Sequence, residues 1–176
     1  DAAPASPRAL PLDHEAFRRG NSVYCPDRVV PMLPERISND LCSLKPGEPR
    51  GALAVRMVID KTGHKRSHTF HRVLMRSAAK LSYAQAQAAI DGRPDDTTGP
   101  LLDPILKPLW TAYALVKRAR DERDPLDLDL PERKILLKAD GTVDRVTTPE
   151  RLDAHRLIEE FMLLANVASA ETLEKK

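Results

Sequence analysis

Apolar residues recur along this chain with two different periods, and the switches between them divide it into elements. Over 104–123, Ile105, Leu109, Ala112, Val116 and Ala119 share one helical face, which Leu106 and Tyr113 widen. Pro108 lacks a backbone donor, so the first turns of that helix are expected to bend. A further helix is expected from about Pro149, carrying Leu152, Leu157, Ile158, Phe161, Met162, Leu164 and Ala165. That face is too wide for a surface helix and calls for partners on more than one side. A short alanine-rich helix is predicted over 83–90, closed by Asp91 and Gly92 and followed by the polar loop 93–100.

Strand patterning occupies the stretches between the helices. Residues 52–59 and 67–75 flank Asp60, Lys61, Thr62 and Gly63, a turn sequence that predicts a β-hairpin. A second hairpin is expected from 134–138 and 142–147 around Ala139, Asp140 and Gly141. Residues 1–12, rich in proline and small side chains without a period, read as a flexible tail. Asp13 is a candidate N-cap for a short helix from His14 to Arg19, which Gly20 would terminate. From 21 to 49, prolines at 26, 31, 34, 46 and 49 leave room for a turn or two of helix within 35–41 and otherwise irregular backbone. A loop that long inside a compact domain is uncommon unless it lines a functional site or packs into the core. No repeat of solenoid period is present, and the fold class is α+β: largely antiparallel hairpins packed against helices.

Charge alters this picture little. The 176 residues carry 28 Lys and Arg against 26 Asp and Glu, a net charge of +2, so no overall field announces nucleic acid or membrane. No apolar run approaches the roughly 20 residues of a membrane span, and no signal sequence opens the chain, so a soluble protein of the cytoplasm is expected. Cys25 and Cys42 have no metal-ligand spacing, consistent with a reducing compartment. The chain begins on Asp1 and closes within a helical pattern, so both ends read as cut from something longer.

Searches for site chemistry are nearly empty. There is no glycine-rich phosphate loop, nucleophile elbow or His-Glu-x-x-His. His64, His68 and His71 lie close together, but on a strand His68 and His71 face apart, and ordinary half-buried or exposed histidines are the favoured reading. The acidic pairs Asp95 with Asp96 and Asp127 with Asp129 sit beside proline-rich turns, where solvated carboxylates are common. Glu159 and Glu160 are adjacent on a helix and point about 100° apart, so they do not form a paired-carboxylate site.

One word order is specific. Gly20-Asn21-Ser22-Val23-Tyr24 leads into Arg28-Val29-Val30-Pro31-Met32-Leu33-Pro34 and then Ile37-Ser38-Asn39-Asp40-Leu41-Cys42-Ser43-Leu44. This resembles the central signature of the ribonuclease R and ribonuclease II family of processive 3′-to-5′ exoribonucleases. The resemblance continues through 70–81 and returns at Arg151-Leu152-Asp153-Ala154-His155, Leu157-Ile158-Glu159-Glu160 and Met162. It makes 13–176 the central portion of such a catalytic domain. It implies that the parent enzyme hydrolyses single-stranded RNA to nucleoside monophosphates as a monomer. Magnesium, held by an aspartate cluster, and a later arginine would stabilise the charge at phosphorus.

Neither that cluster nor that arginine matches a position here, so the chain as given is expected to be inactive and to supply channel wall and scaffold. Tyr24 falls where the family carries an aromatic that stacks on a base near the 3′ end of the RNA. On pattern alone the same tyrosine reads as a core residue with its hydroxyl bonded. Arg19, Arg28 and Arg36 flank it, and Arg19 is the one named for RNA contact. The alternatives are a non-catalytic RNA-binding or regulatory remnant of the same domain, and an incomplete coding sequence with no function of its own.

Overall fold

The computed structural model describes residues 11–123 and 133–175. In chain order they form α1 (Pro11–Arg19), β1 (Val23–Tyr24), β2 (Val29–Val30), a π-helical stretch (Arg36–Leu41), β3 (Pro49–Ile59) and β4 (Lys65–Arg76). After these come α2 (Tyr83–Ile90), α3 (Gly99–Leu101), a second π-helical stretch (Leu102–Leu106), α4 (Lys107–Asp121), β5 (Lys134–Leu137), β6 (Val143–Thr147) and α5 (Asp153–Glu174). The three sheets are two-stranded, β1–β2, β3–β4 and β5–β6, which agrees with the expected α+β class.

The chain divides into two compact units. The first holds α1, β1, β2, the first π-helical stretch, β5, β6 and the end of the β3–β4 hairpin away from its turn. The turn end of that hairpin belongs to the second unit, with α2, α3, the second π-helical stretch, α4 and α5.

In the second unit, Ala89, Leu106, Tyr113, Val116, Ala119, Ala154, Leu157 and Ala168 are buried. α2 begins where expected because Ser82 and Gln85 form a reciprocal capping box. Of the expected apolar face, Leu106, Tyr113, Val116 and Ala119 are buried, whereas Ile105 is 47% exposed. Ile105 lies within the π-helical stretch Leu102–Leu106, which holds Pro104 and whose wider turn departs from the helical period on which that face is drawn. α5 begins at Asp153, later than Pro149. The extended Leu152 gives its N–H to His155 Nδ1 at 3.2 Å, which satisfies one of the donors at the helix start.

Polar groups in this core are paired. Glu160, 4% exposed, forms an ion pair with Arg120. Tyr113 Oη donates to Asp153 Oδ1 at 3.3 Å, and burial followed by that carboxylate raises its pKa to about 12. The hairpin turn docks on α4 at Gly63, where φ is +86° and a Cβ would stand 2.0 Å from the Leu115 carbonyl oxygen, so only glycine fits.

The first unit has no buried side chain among its described residues. α1 starts at Pro11, two residues before the expected cap, with Asp13 in its first turn. Proline is well placed there because its missing N–H would be unpaired in any case, and the acidic side chain complements the helix dipole. The loop after β2 is pinned by polar contacts. Arg50, 17% exposed, donates to the Ser43 carbonyl at 3.2 Å and to Asp40 at 3.4 Å, and it pairs with Glu48 at 2.5 Å. Asp127 and Asp129 lie outside the described residues.

Candidate nucleic-acid interface

Local chemistry builds the first surface upward from α1. Gly20, at φ +74°, ends the helix with its N–H on the Ala16 carbonyl, and the chain turns into β1. Val23 pairs with Val30 and Tyr24 with Val29. The turn between them closes through Cys25 N–H donating to the Arg28 carbonyl at 2.8 Å, with Pro26 presetting one backbone angle. Ser22 Oγ accepts from the Met32 N–H at 3.0 Å, so the hairpin is bound at its open end as well.

On this hairpin Tyr24 is 79% exposed, and no hydrogen bond from the described residues engages its hydroxyl. Within this chain the ring fills no core, and its aromatic face is exposed. Arg19 is engaged differently from a free phosphate ligand. Its Nη1 donates to the Pro31 carbonyl at 2.8 Å and its Nε to Glu15 Oε1 at 2.8 Å, so it fastens the end of α1 to the chain leaving β2. Hydrogen bonds from Arg18 and Arg19 hold the Glu15 carboxyl down at about 2. Arg28 is exposed and lies 3.9 Å from Asp27, and Arg36 is exposed.

The remaining candidates resolve into structural roles. His68 is tied to α5, whereas the exposed His64 and His71 contact Thr62 and Thr69. Asp95 accepts from the N–H groups of Thr97 and Thr98 and from the Thr98 hydroxyl, and these bonds, the Thr98 backbone foremost, lower its pKa. Glu159 pairs with Arg151. Among the described residues no three His, Cys, Asp or Glu side chains stand together as a metal site. Among them, too, no helix is long and apolar enough to cross a membrane.

Two residues were missed in the sequence. Phe17 is 89% exposed on α1, and the helical period does place it off the Leu12 and Ala16 side. Arg50 organises the loop below the hairpin, and no pattern of its own marks it.

Comparison with known proteins agrees with this fold. The family model for the RNB domain matches residues 1–176. Ribonuclease R of Vibrio parahaemolyticus serotype O3:K6 is 40% identical over 167 residues, covering 93% of this chain and 20% of that protein. Ribonuclease R of Escherichia coli strain K12 is 38% identical over 169 residues, covering 95% and 21%. The chain thus spans about a fifth of the length of these relatives. Among solved structures, Mycoplasma genitalium RNase R in complex with double-stranded RNA superposes with a TM-score of 0.90 at 28% identity, covering 99% of this chain and 32% of that one. Its apo form gives 0.87 at 27% identity, covering 97% and 27%. A match along the whole chain, relatives near 40% identity and a shared fold lead to one conclusion: the chain belongs to the RNB domain family.

Proposed function

We propose that the full-length protein carrying this chain is a magnesium-dependent exoribonuclease. It acts in the cytoplasm as a monomer, degrading single-stranded RNA from its 3′ end to nucleoside monophosphates. Residues 13–176 supply channel wall and scaffold from the middle of its catalytic domain, and Tyr24 stacks on a base near the 3′ end. The observation that carries this reading is the exposed Tyr24 ring on a hairpin bound at both ends, in a chain that matches the RNB domain throughout. A tyrosine face stacks on any base, which suits an enzyme that reads no sequence. Arg19 supports this platform by fixing α1 to Pro31, and any contact it makes to RNA uses what those two bonds leave over.

Base stacking on an aromatic is worth about 1–3 kcal/mol per base, so Tyr24→Ala weakens the grip most when few nucleotides remain. Long RNA stays bound by its other contacts. Hydrolysis continues in the variant, but the final products lengthen by roughly a nucleotide, the loss of one stack. A sequencing gel of limit products from wild-type and Tyr24→Ala full-length enzyme on one single-stranded RNA reads this directly. Unchanged product length with a reduced rate would make Tyr24 scaffold.

A further inference from the structure

The charge of this chain is unevenly distributed. Between Pro49 and Ile90 there are eight Lys or Arg and a single acid, Asp60, within a chain whose total is only +2. The rest of the chain is therefore net negative, and the excess of cations is concentrated on the β3–β4 hairpin and the residues just after it.

Exposure and contacts sort these groups over the turn end of the hairpin. Two side chains are committed to α5. Lys65 pairs with Glu171 at 2.8 Å, and the Thr172 hydroxyl gives its proton to the Ala168 carbonyl, so His68 Nε2 donates to Thr172 Oγ1 at 2.7 Å. Ser67, Thr69 and His71, which alternate with His68 along the strand, are all exposed. Arg56 and Val58 are the exposed positions of this part of β3. Lys61 is exposed at the turn, where its carbonyl accepts from Arg118 at 2.8 Å.

The one hairpin carboxylate is already occupied. Asp60 accepts from the N–H groups of Thr62 and His64, from the Thr62 hydroxyl and from Arg66 Nε, which leaves the 67% exposed Arg66 side chain with donors facing solvent. Arg56 and Lys61 have no ion pair among the described residues. The nearest further acids in sequence to Arg118 are Asp121 and Glu122, exposed at the end of α4.

We infer that the exposed turn end of this hairpin, with Arg56, Lys61 and Arg66 as cations and Ser67 and Thr69 as neutral donors beside them in the chain, is a second RNA contact that holds the phosphodiester backbone. It rests on the reading of the full-length protein as an RNA-degrading enzyme. Its chemistry is separate from that of Tyr24: cations and hydroxyls on a ribbon recognise phosphate and carry no base preference. These groups come from both strands and the turn between them, so the surface offers spread donors rather than one pocket.

The test uses the full-length protein and equilibrium binding across a range of KCl concentrations. The RNAs are a 40-nucleotide single strand, a duplex with a 3′ tail and a six-nucleotide strand. Arg56→Gln with Lys61→Gln is expected to weaken binding of the long RNAs about tenfold near physiological salt. It also lowers the salt slope by about 1 for each cation removed. The short strand, held at the Tyr24 end, should bind as before, and limit-product length should not change. Arg56→Lys with Lys61→Arg, which keeps both charges, should restore both affinity and slope. Comparing the tailed duplex with the single strand identifies which form of backbone the ribbon prefers. Unchanged affinity and slope on both long RNAs would overturn the inference, as would weakening that the charge-keeping variant fails to restore. A changed slope with an unaltered Tyr24→Ala product length would leave the ribbon standing and remove the stacking role alone.

Discussion

The two units of this chain are held in different ways. Every buried side chain among the described residues belongs to the second unit, packed around Leu157, Tyr113 and Val116. In the first, Phe17, Val23, Tyr24, Val29 and Leu74 are exposed, and fixed backbone comes from Ser22, Ser38, Arg19 and Arg50 bonding to main-chain groups. Apolar burial gives stability without direction, whereas hydrogen bonds to particular carbonyls and N–H groups give direction with little net stability. A surface that presents an aromatic ring at a set angle needs the second kind, and the core-bearing unit can supply the first.

The contrast is most easily broken at Leu157, 1% exposed at the centre of the core. Leu157→Ala should cost about 4 kcal/mol, from the lost transfer energy and the cavity left behind, measured by urea denaturation. Arg120→Ala comes next, at about 3 kcal/mol, because it leaves the Glu160 carboxylate buried without its cation. In the first unit the corresponding change is smaller. Arg50→Ala should cost about 1 kcal/mol, since its acceptors Asp40 and Glu48 remain half exposed and find water instead. If Arg50→Ala proves as costly as Leu157→Ala, the polar unit is as cooperative as the apolar one and the contrast fails.

The smallest effects appear only at extremes of pH. Glu15, with its folded pKa depressed to about 2, contributes above its ordinary value near 4.5. That contribution is lost as pH falls through about 2, so α1 should loosen from Pro31 in that window. Tyr113 has its folded pKa raised, so its contribution is whole below its ordinary value of 10 and disappears as pH rises through about 12. Absorbance of the phenolate should show one tyrosine titrating late, and Tyr113→Phe should remove it.

Elements with a clean period were legible in the sequence. The β3–β4 and β5–β6 hairpins and α2 lie where alternation, turn residues and the Ser82 cap put them. The illegible parts arose from geometry that no period encodes. The π-helical stretch before α4 leaves Ile105 exposed, and Leu152 rather than Pro149 set the start of α5. Glu160 is buried with an arginine 40 residues earlier as its partner, a pairing that no local period marks. For the site, the word order around Tyr24 located the hairpin, but its exposure could not be read from an isolated tyrosine between Val23 and Cys25. The anchoring bonds of Arg19 were equally hidden, since an arginine beside a signature suggests phosphate as readily as a backbone carbonyl.

The span of the bonds around Tyr24 bears on how the chain is made. Arg19 reaches Pro31 across 12 residues, and the Met32 N–H meets Ser22 across 10, so both can form soon after Met32 leaves the ribosome. Lys65 and His68 must wait for Glu171 and Thr172, 106 and 104 residues later. During translation the bonds around Tyr24 can therefore form well before Lys65 and His68 meet α5. A ribosome stalled between those two points would carry a nascent chain whose ring is already positioned while Lys65 and His68 still lack their partners.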